Sequence, residues 1–400
     1  MNPLFPARPA CTIFDMHQTP QPSQAPPPSL PPRAAGVAQD CMQTVLQQAV
    51  REGRERGVQL AVYHNNELVV DTWAGLADAA TGTAVDGDTL FPVFSVTKAM
   101  AATIMHRLVE RGHVGYETPV ADVWPEFGAH GKQGITVRHV LSHTAGLPCL
   151  PMGIGYVELC DWPAMCTAIA QQRPQTPPGW HMAYHAVTFG WLVGEVARRV
   201  DGRSFQQLLK EEICDCAGIT DMYTGIPESV TPRVAVLQEI FAHGQAPSCD
   251  DSVPRDIPGW MQPLAEMMNR PDARRACIPA SNGIMSARAI ARHYAALLPG
   301  GVDGVELLPP ERVRAATVRQ LPGDGREALP MGLGYFLGNG VVENGDEMAA
   351  FGHGGYGGST GFASGKHRLA VGFTKNLFSP AGAQQDILRA LILALKIGQA

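Results

Sequence analysis

A serine and a lysine three residues apart are the side chains of this sequence whose types and spacing best suit catalysis. Ser95 and Lys98 lie in the stretch FSVTK (94–98), at the start of a helix predicted from Phe94 to Arg111. Residues i and i+3 share one face of a helix, so the Ser95 hydroxyl and the Lys98 amine can meet. Burial lowers the pKa of a lysine, and a neutral lysine can take the proton of a serine hydroxyl. The pair therefore predicts a nucleophilic serine with a lysine base.

The elements that would position this pair follow from apolar periodicity and turn residues. The stretch 40–51 has apolar residues at helical spacing, which predicts an amphipathic helix. Two segments rich in β-branched residues, 58–64 and 67–73, flank Asn65 and Asn66. Asparagine tolerates the left-handed backbone of a tight turn, so a β-hairpin is predicted before the helix that carries Lys98.

The middle of the chain has a different pattern, with helices and loops and little strand from residue 116 to about 264. Helices are predicted there at 136–142, 163–171, 187–200 and 204–213. Strand composition returns late, and the predicted late elements are strands at 333–337, 347–351 and 369–375 and a helix at 386–397. Two early and three late strands indicate one sheet completed across a helical insertion, with the first and last helices covering one face.

This order of elements predicts three regions. Residues 1–38 are rich in proline and have little apolar periodicity, which is typical of a disordered arm. Residues 39–115 and 265–400 would form a domain of sheet and helices. Residues 116–264 would form an all-helical insertion domain.

The composition excludes several classes of protein. A formal net charge of −6 without a long run of like charge argues against nucleic acid and membrane surfaces as partners. No stretch reaches the roughly 18 apolar residues that a membrane-spanning helix needs. The N-terminus lacks a basic segment followed by an apolar core, and the nine cysteines include no CxxC pair. A cytoplasmic protein with reduced thiols is therefore expected.

Five stretches together resemble one protein family. They are FPVFSVTKAMAA (91–102), ITVRHVLSHTAGLP (135–148), PGWHMAYHAVTFGWLVGEVARRVDG (178–202), SNGIMSAR (281–288) and FGHGGYGGSTGFA (351–363). In them the chain resembles the serine β-lactamase and penicillin-binding-protein superfamily, in particular the class C β-lactamase-like carboxylesterases of family VIII. The resemblance implies an α+β fold, with an antiparallel sheet of five or more strands flanked by helices and an inserted all-helical domain. It also implies that Ser95 is the nucleophile, that Lys98 activates it, and that a tyrosine is a second base.

The tyrosine of this family usually stands in a Tyr-x-Asn motif, which the sequence matches imperfectly. A literal match at 63–65 precedes Ser95 and lies in the predicted hairpin, so chain order excludes it. Tyr184, followed by His185 and Ala186, has the expected place before a helix and is the candidate. His185 would replace the missing asparagine as a substrate contact, or would have a capping or packing role. A phenol with a pKa of about 10 needs a nearby cation to act as a base at neutral pH.

The third motif of the family is Lys-Thr-Gly or His-Thr-Gly on a strand beside the nucleophile. His353, Gly354 and Gly355 match it here and are expected to bind substrate. By the same match, the backbone N–H groups of Ser95 and Tyr356 would form an oxyanion hole. A neutral histidine in place of lysine predicts weak recognition of a β-lactam carboxylate. The overlapping GxGxxG does not predict dinucleotide binding, because no βαβ unit surrounds it.

Other candidate side chains carry weaker signals. His139 and His143 have the i, i+4 spacing of metal ligands, but no third ligand accompanies them, so no metal and no cofactor are predicted. Four residues near position 264 could form an adaptable apolar wall over the substrate, or could be ordinary core: Trp260, Met261, Met267 and Met268.

The predicted function is that of a serine hydrolase, with carboxylesterase the leading activity on a small-molecule ester or related acyl substrate. Amide chemistry, by a β-lactamase or a D-amino-acid peptidase or amidase, is one alternative, and acyl transfer to a small molecule is another. The alternative outside catalysis is an idle β-lactamase fold that serves as a binding module. The intact Ser95 and Lys98 argue against it. The sequence leaves the oligomeric state open.

Overall fold

The computed structural model of the protein describes residues 32–240, 256–338 and 350–395. Its strands are β1 Gly57–His64, β2 Glu67–Asp78, β3 Thr83–Ala84, β4 Phe91–Phe94, β5 Met222–Thr224, β6 Gln238–Glu239, β7 Gly283–Met285, β8 Phe336–Leu337, β9 Phe351–Gly354, β10 Thr360–Ser364, β11 Leu369–Lys375 and β12 Leu377–Phe378. Its α-helices are α1 Pro32–Arg51, α2 Thr97–Glu110, α3 Val120–Val123, α4 Val137–Leu141, α5 Tyr156–Leu159, α6 Trp162–Gln171, α7 Thr188–Asp201, α8 Phe205–Leu208, α9 Asp215–Ala217, α10 Leu264–Asn269, α11 Pro271–Arg275, α12 Ala287–Ala295, α13 Pro310–Ala316 and α14 Gln384–Ala394. Short 3₁₀ turns run over Pro125–Gly131, Glu228–Arg233, Gly259–Met261 and Tyr356–Gly358, and a π-helical segment over Leu209–Cys214.

The main sheet has seven strands in the order β3-β2-β1-β11-β10-β9-β8, and every neighbouring pair is antiparallel. The predicted α+β fold with an antiparallel sheet of five or more strands is thus confirmed. The first strand of the chain pairs with a late one, since Val58 of β1 stands opposite Lys375 of β11. Strands from the beginning and the end of the chain therefore form one sheet.

Helices cover both faces of this sheet. Helices α1 and α14 bury an apolar layer with β1 and β11, which includes Met42, Leu46, Leu60, Val371 and Leu388. Helix α12 packs on β1, β10 and β11 from the opposite face. That face joins a larger core that contains most of helix α2, which carries Lys98. The first and last helices therefore cover one face, as predicted.

The hairpin and most of the predicted elements occur close to their expected places. Asn65 and Asn66 turn the chain between β1 and β2 with φ of 52° and 70°. β11 has the predicted bounds, whereas the strand expected at 333–337 shrinks to β8. The strand expected at 347–351 begins only at Phe351, and residues 347–349 lie outside the described residues. The prediction missed β10.

The structure corrects two predictions about the regions of the chain: where the N-terminal arm ends, and whether residues 116–264 are purely helical. The arm was expected to reach residue 38, but α1 begins at Pro32, because the first turn of a helix needs no N–H from its first residue and accepts proline. Residues 1–31 lie outside the described residues. The segment expected to be purely helical contains β5, which pairs with β7, and β6, which pairs with β12. The division into a sheet domain and a helical insertion stays a prediction.

The predicted helix 204–213 also differs in form. Its first turn is α8, and the next six residues, Leu209–Cys214, are π-helical. The wider turn accompanies a buried ion-pair cluster, in which Glu212 meets Arg107, Arg111 and Arg203.

None of the helices in the described ranges combines the length and the apolar character needed to cross a bilayer.

Candidate active site

Ser95 lies in the turn that joins β4 to α2, two residues before the helix begins. The turn is sharp because Phe94 has a φ of 48°, a left-handed conformation that is strained for a bulky residue. The Phe94 ring packs on Tyr356 and Phe378, with centroid distances of 5.7 and 5.5 Å. These contacts hold the strained residue in place. The helix predicted from Phe94 therefore starts three residues later, at Thr97.

Lys98 is fully buried beneath Ser95. Its Nζ lies 2.9 Å from Ser95 Oγ, 2.6 Å from the carbonyl oxygen of Ala186 and 2.9 Å from that of Ala280. Burial holds the pKa of Lys98 well below its usual value. A neutral amine has two N–H bonds and one lone pair. When the two carbonyls accept the two N–H bonds, the lone pair is left to accept the Ser95 hydroxyl proton.

Tyr184 stands in the loop before α7, beside the same pair. Lys98 Nζ lies 5.0 Å from the centroid of its ring. Burial raises the pKa of the Tyr184 phenol above its ordinary value, and its interaction with the Ser95 hydroxyl opposes that rise only in part. The phenol is therefore protonated at neutral pH in the resting site. It is placed to give a proton before it can take one.

His353 on β9 also contacts Tyr184, with 6.1 Å between the centroids of the two rings. Its Nδ1 lies 2.7 Å from the carbonyl oxygen of Gly354, so Nδ1 carries the proton and donates it. Its Nε2 is then an acceptor, 3.5 Å from the Tyr184 hydroxyl. Burial first, and then the nearby Lys98, lowers the pKa of His353 to about 3. The side chain at the third-motif position is thus uncharged at neutral pH.

The glycines after His353 have two different surroundings. A side chain at Gly355 would collide with the backbone carbonyl of Val93, so this glycine lets the segment pack directly on β4. Gly354 has open space where a side chain would be, and it lines the cavity described below. Tyr356 is half-exposed, lines the same cavity as Ser95, and donates its hydroxyl hydrogen to Glu239. The structure therefore brings Ser95 and Tyr356 to one cavity, and an oxyanion hole formed by their N–H groups stays a prediction.

His185 does not face that cavity. Its ring is fully buried, with Nδ1 2.6 Å from the carbonyl oxygen of Ala183 and Nε2 accepting the backbone N–H of Leu147 at 3.1 Å. Both ring nitrogens are engaged within the protein. We therefore assign His185 to the support of this loop, and we correct the expectation that it contacts substrate.

The two histidines with metal-ligand spacing, His139 and His143, have different contacts in the structure. His139 closes the first turn of α4, where its Nδ1 accepts the backbone N–H of Thr136 at 3.1 Å. His143 lies instead against the ring of Tyr184, 4.8 Å between centroids. Across residues 32–240, 256–338 and 350–395, no three His, Cys, Asp or Glu side chains come together as metal ligands.

A cavity of about 520 Å³ opens beside Ser95, Tyr184 and His353. Met261, Met267 and Met268 are among its walls, whereas Trp260 packs against the core next to them. No charged side chain lines the cavity within the described part of the chain. The Ser281 hydroxyl, buried and without a hydrogen-bond partner there, also faces it. Three of the four residues predicted to form an apolar wall, the methionines, thus line the cavity, and Trp260 does not.

Sequence reasoning missed several groups of this site. The carbonyl oxygens of Ala186 and Ala280 hold Lys98, yet a backbone carbonyl leaves no signal in residue type. Ser281 stood in a stretch that carried the resemblance, but nothing in its spacing indicated a cavity position. Phe336 and Thr360 also line the cavity and come from the strands β8 and β10, which the sequence predicted poorly or not at all.

Comparison with known proteins agrees with this architecture. A family profile described as Beta-lactamase matches residues 42–396. The "Esterase/beta-lactamase LipL" of Mycobacterium tuberculosis is 37% identical over 338 residues, which cover 81% of this chain and 78% of that protein.

Solved structures are similar as well. One described as a family VIII carboxylesterase superposes with a TM-score of 0.78 at 32% identity, covering 90% of this chain and 97% of that one. A penicillin-binding protein homologue from Caulobacter crescentus gives a TM-score of 0.75 at 31% identity, covering 92% and 99%. Together with a profile match that spans nearly all of the described chain, these similarities show that the protein belongs to the β-lactamase family.

Proposed function

We propose that the protein is a carboxylesterase that works through an acyl-enzyme on Ser95. The observation that carries this proposal is the environment of Lys98, whose two N–H bonds have carbonyl acceptors while its lone pair is left for Ser95 Oγ at 2.9 Å. A base of this kind activates a serine by taking the hydroxyl proton. The esterase named among the relatives, and the family VIII carboxylesterase among the solved structures, support the same activity.

The first half of the reaction forms the acyl-enzyme. Lys98 takes the Ser95 proton as Oγ attacks the ester carbonyl, and the backbone N–H groups of Ser95 and Tyr356 bind the oxygen on which negative charge develops. The carbonyl then re-forms and the bond to the alkoxy group breaks. Tyr184 gives its phenol proton to that alkoxide, which leaves as an alcohol. Lys98 is now an ammonium, and Tyr184 a phenolate beside it.

The second half consumes one water molecule. The Tyr184 phenolate takes a proton from water as the water oxygen attacks the acyl carbonyl. When the tetrahedral adduct collapses, the Ser95 oxygen leaves and recovers its proton from the Lys98 ammonium. The products are one carboxylic acid and one alcohol, and every group of the site returns to its starting state. The ammonium formed in the first half supplies the cation that a phenolate needs at neutral pH.

The cavity supports esters with an apolar acyl group as substrates. Its described walls carry no charged side chain, and its third-motif residue His353 is uncharged because its pKa is lowered to about 3. A β-lactam carries a carboxylate, and the described walls of this cavity offer no cation for it. Amide and β-lactam hydrolysis therefore remain second candidates. Transfer of the acyl group to a small alcohol follows the same route, with that alcohol in place of water.

A substrate panel tests the proposal. We expect p-nitrophenyl esters of two to eight carbons to be hydrolysed with a kcat/KM at least about 10²-fold above that of a chromogenic cephalosporin. A cephalosporin turned over as well as the best ester would replace esterase with β-lactamase. A fluorophosphonate that fails to label Ser95, combined with no turnover of any ester, would favour an idle binding module.

A further inference from the structure

His143 contacts the backbone on both sides of Tyr184. Its carbonyl oxygen accepts the N–H of Ala183 at 3.0 Å, and its Nδ1 accepts the N–H of His185 at 2.9 Å. Its ring lies against the Tyr184 ring with a centroid distance of 4.8 Å and an interplanar angle of 31°. The residues before and after the tyrosine are thus held through their N–H groups, and one face of its ring is covered, all by this one residue.

The histidine has features that simple packing does not explain. Because Nδ1 accepts a hydrogen bond, the ring proton is on Nε2, which is buried and has no hydrogen-bond partner within the described residues. A buried donor without a partner destabilises the native state. The backbone of His143 is also left-handed, with a φ of 59°. An apolar ring would pack against Tyr184 and Phe189 without the orphan donor, so the acceptor at Nδ1 is what histidine adds.

We propose that His143 is the positioning residue of the acid–base tyrosine, and that it acts by accepting the backbone N–H of His185 so that the Tyr184 hydroxyl stays aligned with Ser95 and the substrate. The inference rests on the role proposed above for Tyr184. Proton transfer depends steeply on alignment, and a displacement of about 1 Å can lower a rate about 10²-fold. Supporting residues of this kind hold a reacting group without touching the substrate.

The chain offers a matched pair of substitutions at this position. Glycine and asparagine both tolerate a left-handed backbone, so neither adds strain at residue 143. Both remove the imidazole ring. Only asparagine keeps an acceptor, since its Oδ1 is attached to Cγ just as Nδ1 is in histidine. Comparing His143→Asn with His143→Gly therefore isolates the hydrogen bond to His185. His143→Ala replaces the glycine variant if the latter does not fold.

The experiment is stopped-flow hydrolysis of p-nitrophenyl butyrate, which separates the burst of acylation from the slower deacylation. The burst amplitude counts working sites, so the deacylation rate constant is obtained for each folded site. We expect His143→Gly to lower that constant about 10²-fold with the burst amplitude retained, and His143→Asn to stay within about tenfold of the parent. A purely structural role would reduce the burst amplitude and leave the rate for each site unchanged.

Two further variants complete the design. In a Tyr184→Phe background, His143→Gly should have less than about a threefold additional effect, because it acts through the tyrosine. His106→Gln is the control, since His106 is equally buried but its ring nitrogens bond Tyr116 and Leu333 and not the residues beside Tyr184, and its rate for each site should not change.

The outcomes separate this inference from the proposed function. If Tyr184→Phe slows deacylation but neither His143 variant does, the positioning role is wrong and the proposed mechanism stands. The same conclusion follows if the asparagine and glycine variants are equally slow, because the acceptor would then not matter. If Tyr184→Phe keeps full activity, the proposed role of the tyrosine fails, and the positioning role fails with it.

Discussion

The Nζ atom of Lys98 lies 2.9 Å from Ser95 Oγ, and the other two polar groups that it contacts are backbone carbonyls rather than carboxylates. No counter-charge from the described residues offsets its burial, which lowers the pKa of the amine well below the usual value. Only the neutral amine can accept the serine proton. In the proposed mechanism, the acid–base state of this one buried lysine therefore controls the nucleophile.

The first prediction is an acid limb in the pH profile of kcat/KM. As the pH falls through the lowered pKa of Lys98, the amine gains a proton, loses its lone pair and stops activating Ser95. Activity should therefore decline towards acid pH and level off above that pKa. Initial rates with p-nitrophenyl butyrate between pH 5 and 9 measure it. A profile that rises towards acid pH would contradict the assignment of Lys98 as the base.

Substitutions at the same pair are the control for that profile. Ser95→Ala and Lys98→Ala should each abolish most turnover, and Lys98→Arg should do the same because a guanidinium keeps its charge and offers no lone pair. Mass spectrometry after treatment with a slow acyl donor should find the adduct on the peptide that contains Ser95. An adduct on a cysteine would instead point to a different nucleophile.

The second prediction concerns Tyr184→Phe and the leaving group. Loss of one acid–base group typically lowers a rate by about 10² to 10⁴. The effect on acylation should be larger for ethyl esters than for p-nitrophenyl esters, because p-nitrophenolate leaves without needing a proton. Single-turnover rates with both substrates measure the difference. Equal losses for the two leaving groups would exclude Tyr184 as their proton donor.

The local parts of this site were predictable from the sequence, because they depend on neighbouring residues. Ser95 and Lys98 are three residues apart, so the turn before α2 and the first turn of that helix bring their side chains together. The hairpin and β11 were also predictable, since β-branched residues and an Asn65-Asn66 turn specify them locally. The resemblance to a family supplied Tyr184 and His353, which no spacing rule links to Ser95.

The rest depends on contacts between distant residues. Lys98 meets Ala186 and Ala280, which are 88 and 182 positions away, through carbonyl oxygens that every residue has. β10 was missed because Gly361 has a low strand propensity, yet a side chain there would collide with Ile290 and Tyr294 of α12. His185 has the residue type of a substrate contact, and only its bonds to Leu147 and Ala183 reveal a supporting role.

The third prediction is a loss of stability in mild acid. Burial lowers the pKa of His106 and His185 to about 4 and that of His293 to about 3, from an unfolded value of 6.5. Between those values the unfolded chain binds protons that the native protein does not, so the free energy of unfolding falls as the pH decreases below 6.5. Each histidine contributes about 1.4 kcal/mol between pH 7.5 and 5.5, so the three contribute about 4 kcal/mol.

Urea unfolding at pH 7.5 and 5.5 measures this difference. His106→Gln keeps a polar side chain that does not titrate, so the pH dependence of that variant should be smaller by about 1.4 kcal/mol. The same variant should keep the parent's activity for each folded site, and that result would separate stability from catalysis. Equal stability of the parent protein at the two pH values would show that these histidines are accessible to protons in the native state.

The fourth prediction concerns the methionine wall of the cavity. Met261 is 3% exposed and lines the same cavity as Ser95, and we expect the chain of an acyl group to extend along this wall. A larger side chain there removes room from long acyl chains before it affects acetate, and one methylene in an apolar pocket changes binding by about 1–3 kcal/mol. Met261→Trp should therefore lower the ratio of kcat/KM for p-nitrophenyl hexanoate to kcat/KM for p-nitrophenyl acetate at least about tenfold.

Met152→Trp is the matched control, because Met152 is 64% exposed and does not line the cavity. The ratio of kcat/KM values of this variant should equal that of the parent. If Met261→Trp lowers the two rates by the same factor, the wall does not bind the acyl chain, and the chain must occupy another part of the cavity.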